Sequence, residues 1–361
     1  MAVTKIMVTL TAVGVVMMSI MLPSKAIDTD KVRQLAAKYN VTCVLVFGDS
    51  SVDSGNNNRL DTTFKSNFLP YGRDFFGRRP TGRFSDGRLA TDFIAEAIGY
   101  IKAIPAFLDP ELRQQDLVHG VSFASAASGY DDLTANLTNV LALSKQVEYF
   151  RQYKIKLSQL VGERKAEEII KNALTVLSMG TNDFLQNYYM EPIRPKQYTP
   201  EEYQNYLISC MFENIKKMRG LGISRLVVVG VPPIGCMPLV KTLMNQETCV
   251  EEYNNFSSAF NAKIKAKLST LRTTLGIRGV YADAYGAVQN AMNNPKLYGL
   301  NETSKGCCGT GTIEYGDSCR GSTTCSNASQ YVFWDAVHPT EKMYKIIADG
   351  AVESFDESLL G

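Results

Sequence analysis

The chain is poor in several of the side chains that carry binding and catalytic chemistry. Its 361 residues include two histidines and one tryptophan, and its formal net charge is only +2. That excess comes from Lys5 and Lys25 near the N-terminus, so the rest of the chain is close to neutral. No block of like charge occurs, and we therefore expect no nucleic-acid partner. The scarcity of histidine leaves His119 and His338 as the candidates for a catalytic histidine.

Long hydrophobic runs are also scarce, and the one of note lies at the N-terminus. Lys5 precedes the predominantly apolar stretch Ile6–Leu22, and Ser24 and Ala26 are small residues at the positions that signal cleavage prefers. We predict that residues 1–26 are a signal peptide and that the protein is secreted. A membrane anchor is the alternative, but the stretch is short for a span and contains polar residues. Since no other stretch could cross a bilayer, we expect no stable membrane insertion.

Cysteine usage agrees with an exported protein. Six of the eight cysteines lie late in the chain, where Gly, Ser and Thr are abundant, and in an oxidising compartment such cysteines cross-link loops. Their spacing leaves the pairing open, but Cys236 and Cys249 would close a short loop and are our first expected disulfide. Cys43 and Cys210 are the expected free thiols. A zinc site is the competing interpretation, which the absence of a C-x2-C pair disfavours.

Five Asn-x-Ser/Thr triplets also suit an exported chain, because such triplets accept N-linked glycans. None of them has proline in the middle position. The predicted acceptors are Asn40, Asn136, Asn255, Asn301 and Asn327.

Short apolar runs alternate with longer amphipathic patterns along the chain. The short runs predict strands at Val41–Phe47, Val121–Ala124, Leu174–Met179, Leu226–Val231 and Gly279–Ala282. The longer patterns predict helices at Arg88–Ile98, Leu143–Leu160, Ala166–Ala173, Thr199–Leu221, Cys249–Leu275 and Thr340–Phe355. Repeated strand–helix–strand units predict an α/β protein with a parallel sheet covered on both faces. No repeat or linker is evident, so we predict one domain over residues 27–361.

Ser50 follows the first predicted strand in the turn Phe47-Gly48-Asp49-Ser50. Ligands of open parallel sheets bind at the carboxyl ends of the strands, and Gly48 permits a sharp turn that would present the Ser50 hydroxyl there. Such a hydroxyl becomes a nucleophile when a base removes its proton. The alternative is that Asp49 or Ser50 merely caps a helix or a turn.

A carboxylate and a histidine stand three residues apart near the C-terminus, as Asp335 and His338. Asp335 can bond one ring nitrogen and leave the other to face Ser50, which is the arrangement of a serine acyl-transfer triad. The alternative is a surface loop in which the pair occurs by chance. We interpret His119 as structural or exposed.

The oxyanion that forms during acyl transfer needs hydrogen-bond donors. Asn182 follows the predicted strand Leu174–Met179, so its side-chain amide is a candidate donor. Backbone N–H groups of Ser50 and of residues 125–129 are further candidates. The alternative is that Gly-Thr-Asn-Asp at 180–183 is an ordinary turn.

These segments resemble, in order and in sequence, the blocks of the SGNH, or GDSL, hydrolase superfamily. The similarity is strongest to the plant GDSL esterase/lipases of the extracellular lipase group, and it extends over essentially the whole chain beyond the signal peptide. The matching strings are Phe47–Asn58, Pro70–Arg73, Pro80–Gly87, Gly120–Ser125, Gly180–Asp183, Gly230–Cys236 and Asp335–Pro339.

The resemblance implies a flavodoxin-like three-layer α/β/α sandwich with a five-stranded parallel sheet. It implies the roles of nucleophile for Ser50, base for His338, acid for Asp335, and oxyanion donors for Ser50, Ala127 and Asn182. Two residues depart from the family's pattern. Ser51 stands in place of the leucine in the name-giving motif, and Ala127 stands in place of the usual oxyanion glycine. The backbone N–H of Ala127 can still donate if its dihedral angle is allowed.

The predicted function is hydrolysis of carboxylic esters, of lipids or of other acyl compounds, by a secreted serine esterase or lipase. The mechanism requires no metal and no organic cofactor. An acyltransferase and a cell-wall carbohydrate esterase are alternatives on the same scaffold, and a catalytically silent binding protein is a third. We expect a small-molecule or lipid ester as substrate and a monomeric protein.

Two groups of residues bear on the substrate. Five apolar or aromatic residues after the Asn182 turn either line an acyl pocket or, as their helical spacing favours, pack in the core: Phe184, Leu185, Tyr188, Tyr189 and Met190. Five arginines could meet a charged substrate, but we interpret them as a solvated face paired with Asp74 and Asp86: Arg73, Arg78, Arg79, Arg83 and Arg88.

Overall fold

A parallel β-sheet forms the centre of the computed structural model, which describes residues 29–191 and 193–361. The predicted signal peptide, residues 1–26, lies outside the described residues. The strands of the main sheet, hydrogen-bonded in this order, are β1 (Val44–Gly48), β2 (Leu174–Ser178), β3 (Arg225–Val229) and β4 (Arg278–Ala282). A second small sheet pairs β5 (Glu302–Gly306) with β6 (Tyr331–Phe333).

The predicted strand Val121–Ala124 runs parallel to β1 but pairs with it only briefly. The Val46 N–H donates to the Val121 carbonyl at 3.1 Å, and the Phe123 N–H donates to the Val46 carbonyl at 2.7 Å. This segment therefore occupies a fifth position at the edge of the sheet, while regular pairing covers four strands. If this segment is counted as the second of five strands along the chain, the strand order in space is 2-1-3-4-5. This is the order of flavodoxin-like folds, the fold that the family resemblance implies.

Helices cover both faces of the sheet. The α-helices are α1 (Thr29–Lys38), α2 (Ala90–Ile98), α3 (Asp132–Thr138), α4 (Leu143–Val161), α5 (Glu163–Asn172), α6 (Pro200–Leu221), α7 (Pro238–Leu243), α8 (Glu251–Leu275), α9 (Ala284–Asn293), α10 (Glu341–Glu353) and α11 (Glu357–Leu360). A π-helix, Asp183–Met190, follows β2. Within the part of the chain that the structure describes, none of these helices has the length and apolar character that a membrane span needs.

Alternate residues of the strands enter two separate cores, because successive side chains of a strand point to opposite faces of the sheet. Leu45 and Phe47 of β1 pack in the core that α4, α5, α6 and α8 share. Val44 and Val46 pack in the core that α1, α2, α10 and α11 share. The result is the three-layer α/β/α sandwich that the family resemblance implies.

Three disulfides tie loops near the carboxyl end of the sheet. The pairs are Cys236–Cys249, Cys307–Cys325 and Cys308–Cys319, so the first expected disulfide is confirmed. Cys43 and Cys210 are free, as predicted, and burial raises the pKa of the Cys43 thiol to about 12. Among the described residues, no cluster of three or more His, Cys, Asp or Glu side chains is placed to hold a metal ion.

The arginines predicted to form a solvated face do not all lie at the surface. Arg83 is buried, and its guanidinium donates to both carboxylate oxygens of Asp92, at 2.8 and 2.9 Å. Asp92 accepts two further bonds from backbone N–H groups at the start of α2 and in the loop after it. Arg88 pairs with Glu96 of α2 at 2.7 Å and with Glu341 of α10 at 3.1 Å instead of Asp86. The prediction is therefore wrong at these two positions, where the arginines join α2 to its neighbours.

The buried pair between Arg83 and Asp92 should be far more sensitive to mutation than a surface pair. Arg83→Met leaves the Asp92 carboxylate buried without its counter-charge, and we expect the free energy of unfolding to fall by about 3–5 kcal/mol. Arg151→Met is the control, because the Arg151–Glu148 pair is exposed and should contribute less than about 1 kcal/mol. Denaturant titration of both variants makes the comparison, and equal losses would contradict the assignment.

Candidate active site

The structure brings residues from the two ends of the chain together at the carboxyl end of the sheet. Ser50 lies two residues beyond β1, and its Oγ is 2.9 Å from Nε2 of His338. Nδ1 of His338 lies 3.0 and 2.8 Å from the two carboxylate oxygens of Asp335. A carboxylate can only accept hydrogen bonds, so Nδ1 carries the ring proton. Nε2 then remains free to accept a hydrogen bond from the Ser50 hydroxyl. The other histidine, His119, lies half-buried beside Tyr100, with ring centroids 5.9 Å apart.

The turn that presents Ser50 depends on Gly48. Its φ is +153°, and a Cβ built there would lie 2.1 Å from the Ser178 carbonyl oxygen of β2. After Gly48, the Asp49 carboxylate accepts from the Ser51 N–H at 2.9 Å and from the Ser51 hydroxyl at 2.8 Å. Asp49 and Ser51 therefore hold the turn, while the Ser50 hydroxyl points to His338. Burial raises the pKa of Asp49 to about 6.

The Asp335 carboxylate is fully buried and is bonded to more than the imidazole. It accepts from the backbone N–H groups of Val337 at 2.8 Å and of His338 at 2.6 Å. It also accepts from the Tyr71 hydroxyl at 2.7 Å. Burial and the charge of Asp335 raise the pKa of Tyr71 well above its ordinary value, so this phenol remains a donor.

Tyr71 is a residue that reasoning from the sequence missed. It lies 264 positions before Asp335, and its only sequence signal is the string Pro70–Arg73 of the family resemblance. Its oxygen accepts from the Gly316 N–H at 2.7 Å, within the loop that Cys308–Cys319 closes. Its ring lies edge-on to those of Phe68, Phe84 and Trp334. The small core around these rings includes the four cysteines of the Cys307–Cys325 and Cys308–Cys319 disulfides. The disulfide-linked segment thus holds Tyr71 against Asp335.

Removing the Tyr71 hydroxyl should loosen the Asp335–His338 contact. We expect Tyr71→Phe to lower kcat for an ester about tenfold with little change in KM, because the phenol orients Asp335 and does not contact substrate. The free energy of unfolding should fall by about 1.5–3 kcal/mol, as for a hydrogen bond to a charged group. Steady-state kinetics and denaturant titration measure the two effects.

The matched control for this variant is Tyr130→Phe. Tyr130 is equally buried, but its hydroxyl has no hydrogen-bond partner among the described residues. Its loss should leave kcat within about twofold. A similar fall in kcat for both variants would show that Tyr71 has only a packing role.

Three N–H donors near the Ser50 hydroxyl can bind an oxyanion: the Asn182 side-chain amide and the backbone N–H groups of Ser50 and Ala127. Nδ2 of Asn182 donates one proton to the Ser128 carbonyl at 2.9 Å, which fixes the amide and leaves its second N–H. Within the described residues, the backbone N–H groups of Ser50 and Ala127 donate to no protein acceptor. Ser50, Ala127 and Asn182 line one cleft together with His338. The residues predicted to donate to the oxyanion therefore line the same cleft.

Two buried carboxylates hold the loop that contains Ala127. Asp53 accepts from the Ala126 N–H at 3.0 Å, and Asp183 accepts from the N–H groups of Tyr130 at 2.8 Å and Asp131 at 3.1 Å. Burial raises the pKa of Asp53 to about 6 and that of Asp183 to about 7. Sequence reasoning assigned neither residue, and the signal available was that each stands in the same family block as Ser50 or Asn182.

Ala127 adopts the left-handed backbone region, with φ of +66°. A side chain with a Cβ costs roughly 1–2 kcal/mol in this region, which explains why glycine is the usual residue there. We expect the Ala127→Gly variant to remain active in ester hydrolysis and its free energy of unfolding to rise by at most about 1 kcal/mol. The rise is small because the relief of backbone strain is partly offset by the greater chain entropy of glycine in the unfolded state.

A β-branched residue at the same position provides the contrast. Ala127→Val should lower the free energy of unfolding by about 1 kcal/mol or more, because bulky residues are poorly tolerated at positive φ. Thermal and denaturant unfolding measure both variants. A destabilised glycine variant beside a valine variant of native stability would refute the assigned backbone geometry.

Residues after the Asn182 turn divide between the cleft and the core. Leu185 and Met190 of the π-helix line the cleft that contains Ser50. Phe184 is fully buried in the core. Tyr188 and Tyr189 pack among other aromatic side chains, including Phe256. The core interpretation therefore holds for Phe184, Tyr188 and Tyr189, while Leu185 and Met190 line a cleft beside Ser50.

Comparison with known proteins places the chain in a family. A family model described as GDSL-like Lipase/Acylhydrolase matches residues 44–351. GDSL esterase/lipase At5g45950 of Arabidopsis thaliana is 53% identical over 335 residues, which are 93% of this chain and 94% of that protein. GDSL esterase/lipase At4g26790 of the same plant is 44% identical over 326 residues, 88% of this chain and 93% of that protein. The chain belongs to the GDSL-like lipase/acylhydrolase family and is a carboxylic ester hydrolase.

A solved structure is also similar. The lipase Lip_vut3 from a goat rumen metagenome matches with a TM-score of 0.37 and 12% sequence identity, over 86% of this chain and 95% of that one.

Proposed function

We propose that the protein is a secreted serine esterase or lipase in which Ser50, His338 and Asp335 act as a catalytic triad. The observation that carries the proposal is the 2.9 Å contact between Ser50 Oγ and His338 Nε2, residues 288 positions apart in the chain. Asp335 on the other ring nitrogen fixes the tautomer in which Nε2 is the base.

In the first half of the reaction, Ser50 Oγ attacks the carbonyl carbon of the ester as His338 Nε2 takes the hydroxyl proton. The carbonyl oxygen becomes an oxyanion, bound by the backbone N–H groups of Ser50 and Ala127 and by the amide of Asn182. His338 then gives its proton to the departing alcohol oxygen, and the acyl group remains on Ser50.

In the second half, water replaces the alcohol. His338 takes a proton from the water as its oxygen attacks the acyl carbon, and the same donors bind the second oxyanion. Collapse of this intermediate breaks the bond to Ser50 Oγ, which regains its proton from His338. The products are a carboxylic acid, an alcohol and the unchanged enzyme.

The proposal that the protein is secreted rests on several separate features. Residues 1–26 have the pattern of a signal peptide. Three disulfides suit an oxidising compartment. All five predicted glycosylation acceptors have exposed side chains: Asn40, Asn136, Asn255, Asn301 and Asn327.

Ser50→Ala tests the proposal, because it removes the nucleophile and keeps the turn. We expect kcat for p-nitrophenyl butyrate to fall at least about a thousandfold, and labelling by a fluorophosphonate probe to be lost. Kinetics and mass spectrometry of the labelled protein measure both. Undiminished hydrolysis or labelling would end the proposal.

Ser54→Ala is the matched control. Ser54 lies in the same segment, and its buried hydroxyl has no partner among the described residues. Its activity and labelling should stay within about twofold of the unmodified protein, which separates loss of the nucleophile from a general effect of serine replacement in this segment.

A further inference from the structure

A buried amide of helix α4 pairs with both backbone groups of Gly48, the glycine two residues before Ser50. Gln146 is fully shielded from solvent; its Oε1 accepts from the Gly48 N–H at 2.9 Å, and its Nε2 donates to the Gly48 carbonyl at 2.9 Å. Because an N–H only donates and a carbonyl only accepts, the two bonds fix the orientation of the amide. Earlier in β1, the Val46 N–H donates to the Val121 carbonyl of the edge segment. Gln146 therefore takes the place that a longer edge strand would have beside Gly48.

The Gly48 carbonyl is a meeting point for three segments of the chain. Besides the bond from Gln146, it accepts from the Ser125 N–H at 3.0 Å and from the Ser128 hydroxyl at 2.9 Å. Nε2 of Gln146 also donates to the Ser128 hydroxyl oxygen and to the Leu141 carbonyl, each at 3.2 Å. One side chain therefore joins the turn that presents the proposed nucleophile to the loop that supplies a proposed oxyanion donor.

The same contacts continue to two of the predicted oxyanion donors. Ser128 directly follows Ala127, whose backbone N–H is one of these donors. The Ser128 carbonyl accepts from Nδ2 of Asn182 at 2.9 Å, which fixes the amide of the second donor. The position of Ser128 thus bears on both donors, and its hydroxyl is bonded to Gly48 and to Gln146.

The peptide unit that joins Gly48 to Asp49 begins the turn to Ser50. Its carbonyl accepts from Gln146, and its N–H donates to the Ser178 carbonyl of β2 at 3.0 Å. Because a peptide unit is planar, bonds at both of its ends fix its orientation and the direction in which the chain continues. The next peptide unit carries the Ser50 N–H, the third predicted oxyanion donor. Gln146 is therefore connected to the nucleophile and to all three donors.

We propose that Gln146 is a positioning residue for ester hydrolysis, which holds the Ser50 turn in the geometry that the oxyanion donors require. Gln146 lies outside the lining of the cleft that contains Ser50, so it acts through Gly48 and Ser128 and does not contact substrate. Displacement of reacting groups by about 1 Å can lower a rate about a hundredfold. The inference rests on the proposed function, because it assigns how the proposed nucleophile and oxyanion donors are held together.

The first test is Gln146→Met, which removes the polar contacts and keeps an unbranched side chain of similar length. We expect kcat for p-nitrophenyl butyrate to fall at least about tenfold and KM to stay within about twofold, because the surface that contacts substrate is unchanged. The rate of labelling by a fluorophosphonate probe should fall in parallel, since it uses the same nucleophile and donors. Steady-state kinetics and labelling time courses, on protein shown to be folded by circular dichroism, measure these effects.

Gln204→Met is the matched control, because it makes the same replacement at another buried glutamine. Nε2 of Gln204 donates to the Phe256 carbonyl at 3.3 Å, a bond that joins α6 to α8 and not two parts of the site. Its kcat should stay within about twofold of the unmodified value. Similar falls in kcat for the two variants would show a general effect of losing a buried amide and would overturn the inference.

A second variant, Gln146→Asn, guards against misfolding of the first. It keeps a buried amide but withdraws it from Gly48 by one methylene, so the paired bonds cannot both form. We expect kcat again to fall at least about fivefold with KM within about twofold. A kcat within about twofold of the unmodified value in either folded Gln146 variant would overturn the inference.

Ser50→Ala, measured beside these variants, separates this inference from the proposed function. Loss of hydrolysis in Ser50→Ala together with unchanged kcat in the Gln146 variants would reject the inference alone. Hydrolysis that survives Ser50→Ala would reject the proposed function and, with it, the role of Gln146 in holding a nucleophile.

Discussion

The site depends on one buried carboxylate, that of Asp335. It is fully shielded from water and accepts hydrogen bonds from two backbone N–H groups, a phenol and an imidazole, at 2.6 to 3.0 Å. A buried charge is tolerated only when such partners compensate it. Because every partner is fixed, the carboxylate in turn fixes the position and the tautomer of His338. The contact between His338 and Ser50 follows from that constraint.

The fold supplies the other side of this contact. Parallel strands end at one edge of the sheet, so Ser50 after β1 and Asn182 after β2 emerge as neighbours. Gly48 allows β1 to turn directly against β2. The late disulfides lie in the segment between β5 and β6 of the second sheet. Their loop holds Tyr71 and thereby Asp335. The arrangement of side chains at the sheet edge therefore depends on local turns and on one long-range hydrogen bond, between Tyr71 and Asp335.

Local patterns carried most of what the sequence could predict. The periodicity of apolar residues located the strands β1 to β4 and the long helices to within a few residues, since burial on one or both faces imposes that pattern. His338 was recognisable as a candidate because the chain has only two histidines, and Ser50 because it follows a predicted strand in the turn Phe47-Gly48-Asp49-Ser50. The β5–β6 sheet was not predicted, because β5 is short and largely polar.

The features that the sequence did not predict depend on contacts between residues far apart in the chain. The hydroxyl of Tyr71 meets Asp335 across 264 positions, and no property of either residue's neighbours encodes that meeting. Arg83 looked like its exposed neighbours in sequence, yet the fold buries it against Asp92. The tertiary arrangement decides which polar side chains are buried, so the local composition of the sequence does not predict their burial.

The chain's scarcity of histidine makes the central contact directly measurable. Nuclear magnetic resonance of protein labelled with 15N-histidine observes two imidazoles, those of His119 and His338. We expect one imidazole with a single fixed tautomer, whose Nδ1 proton is shifted far downfield and exchanges slowly with water, and we expect Asp335→Ala to abolish this signal. Two imidazoles that both exchange freely between tautomers, with and without Asp335, would contradict the proposed contact.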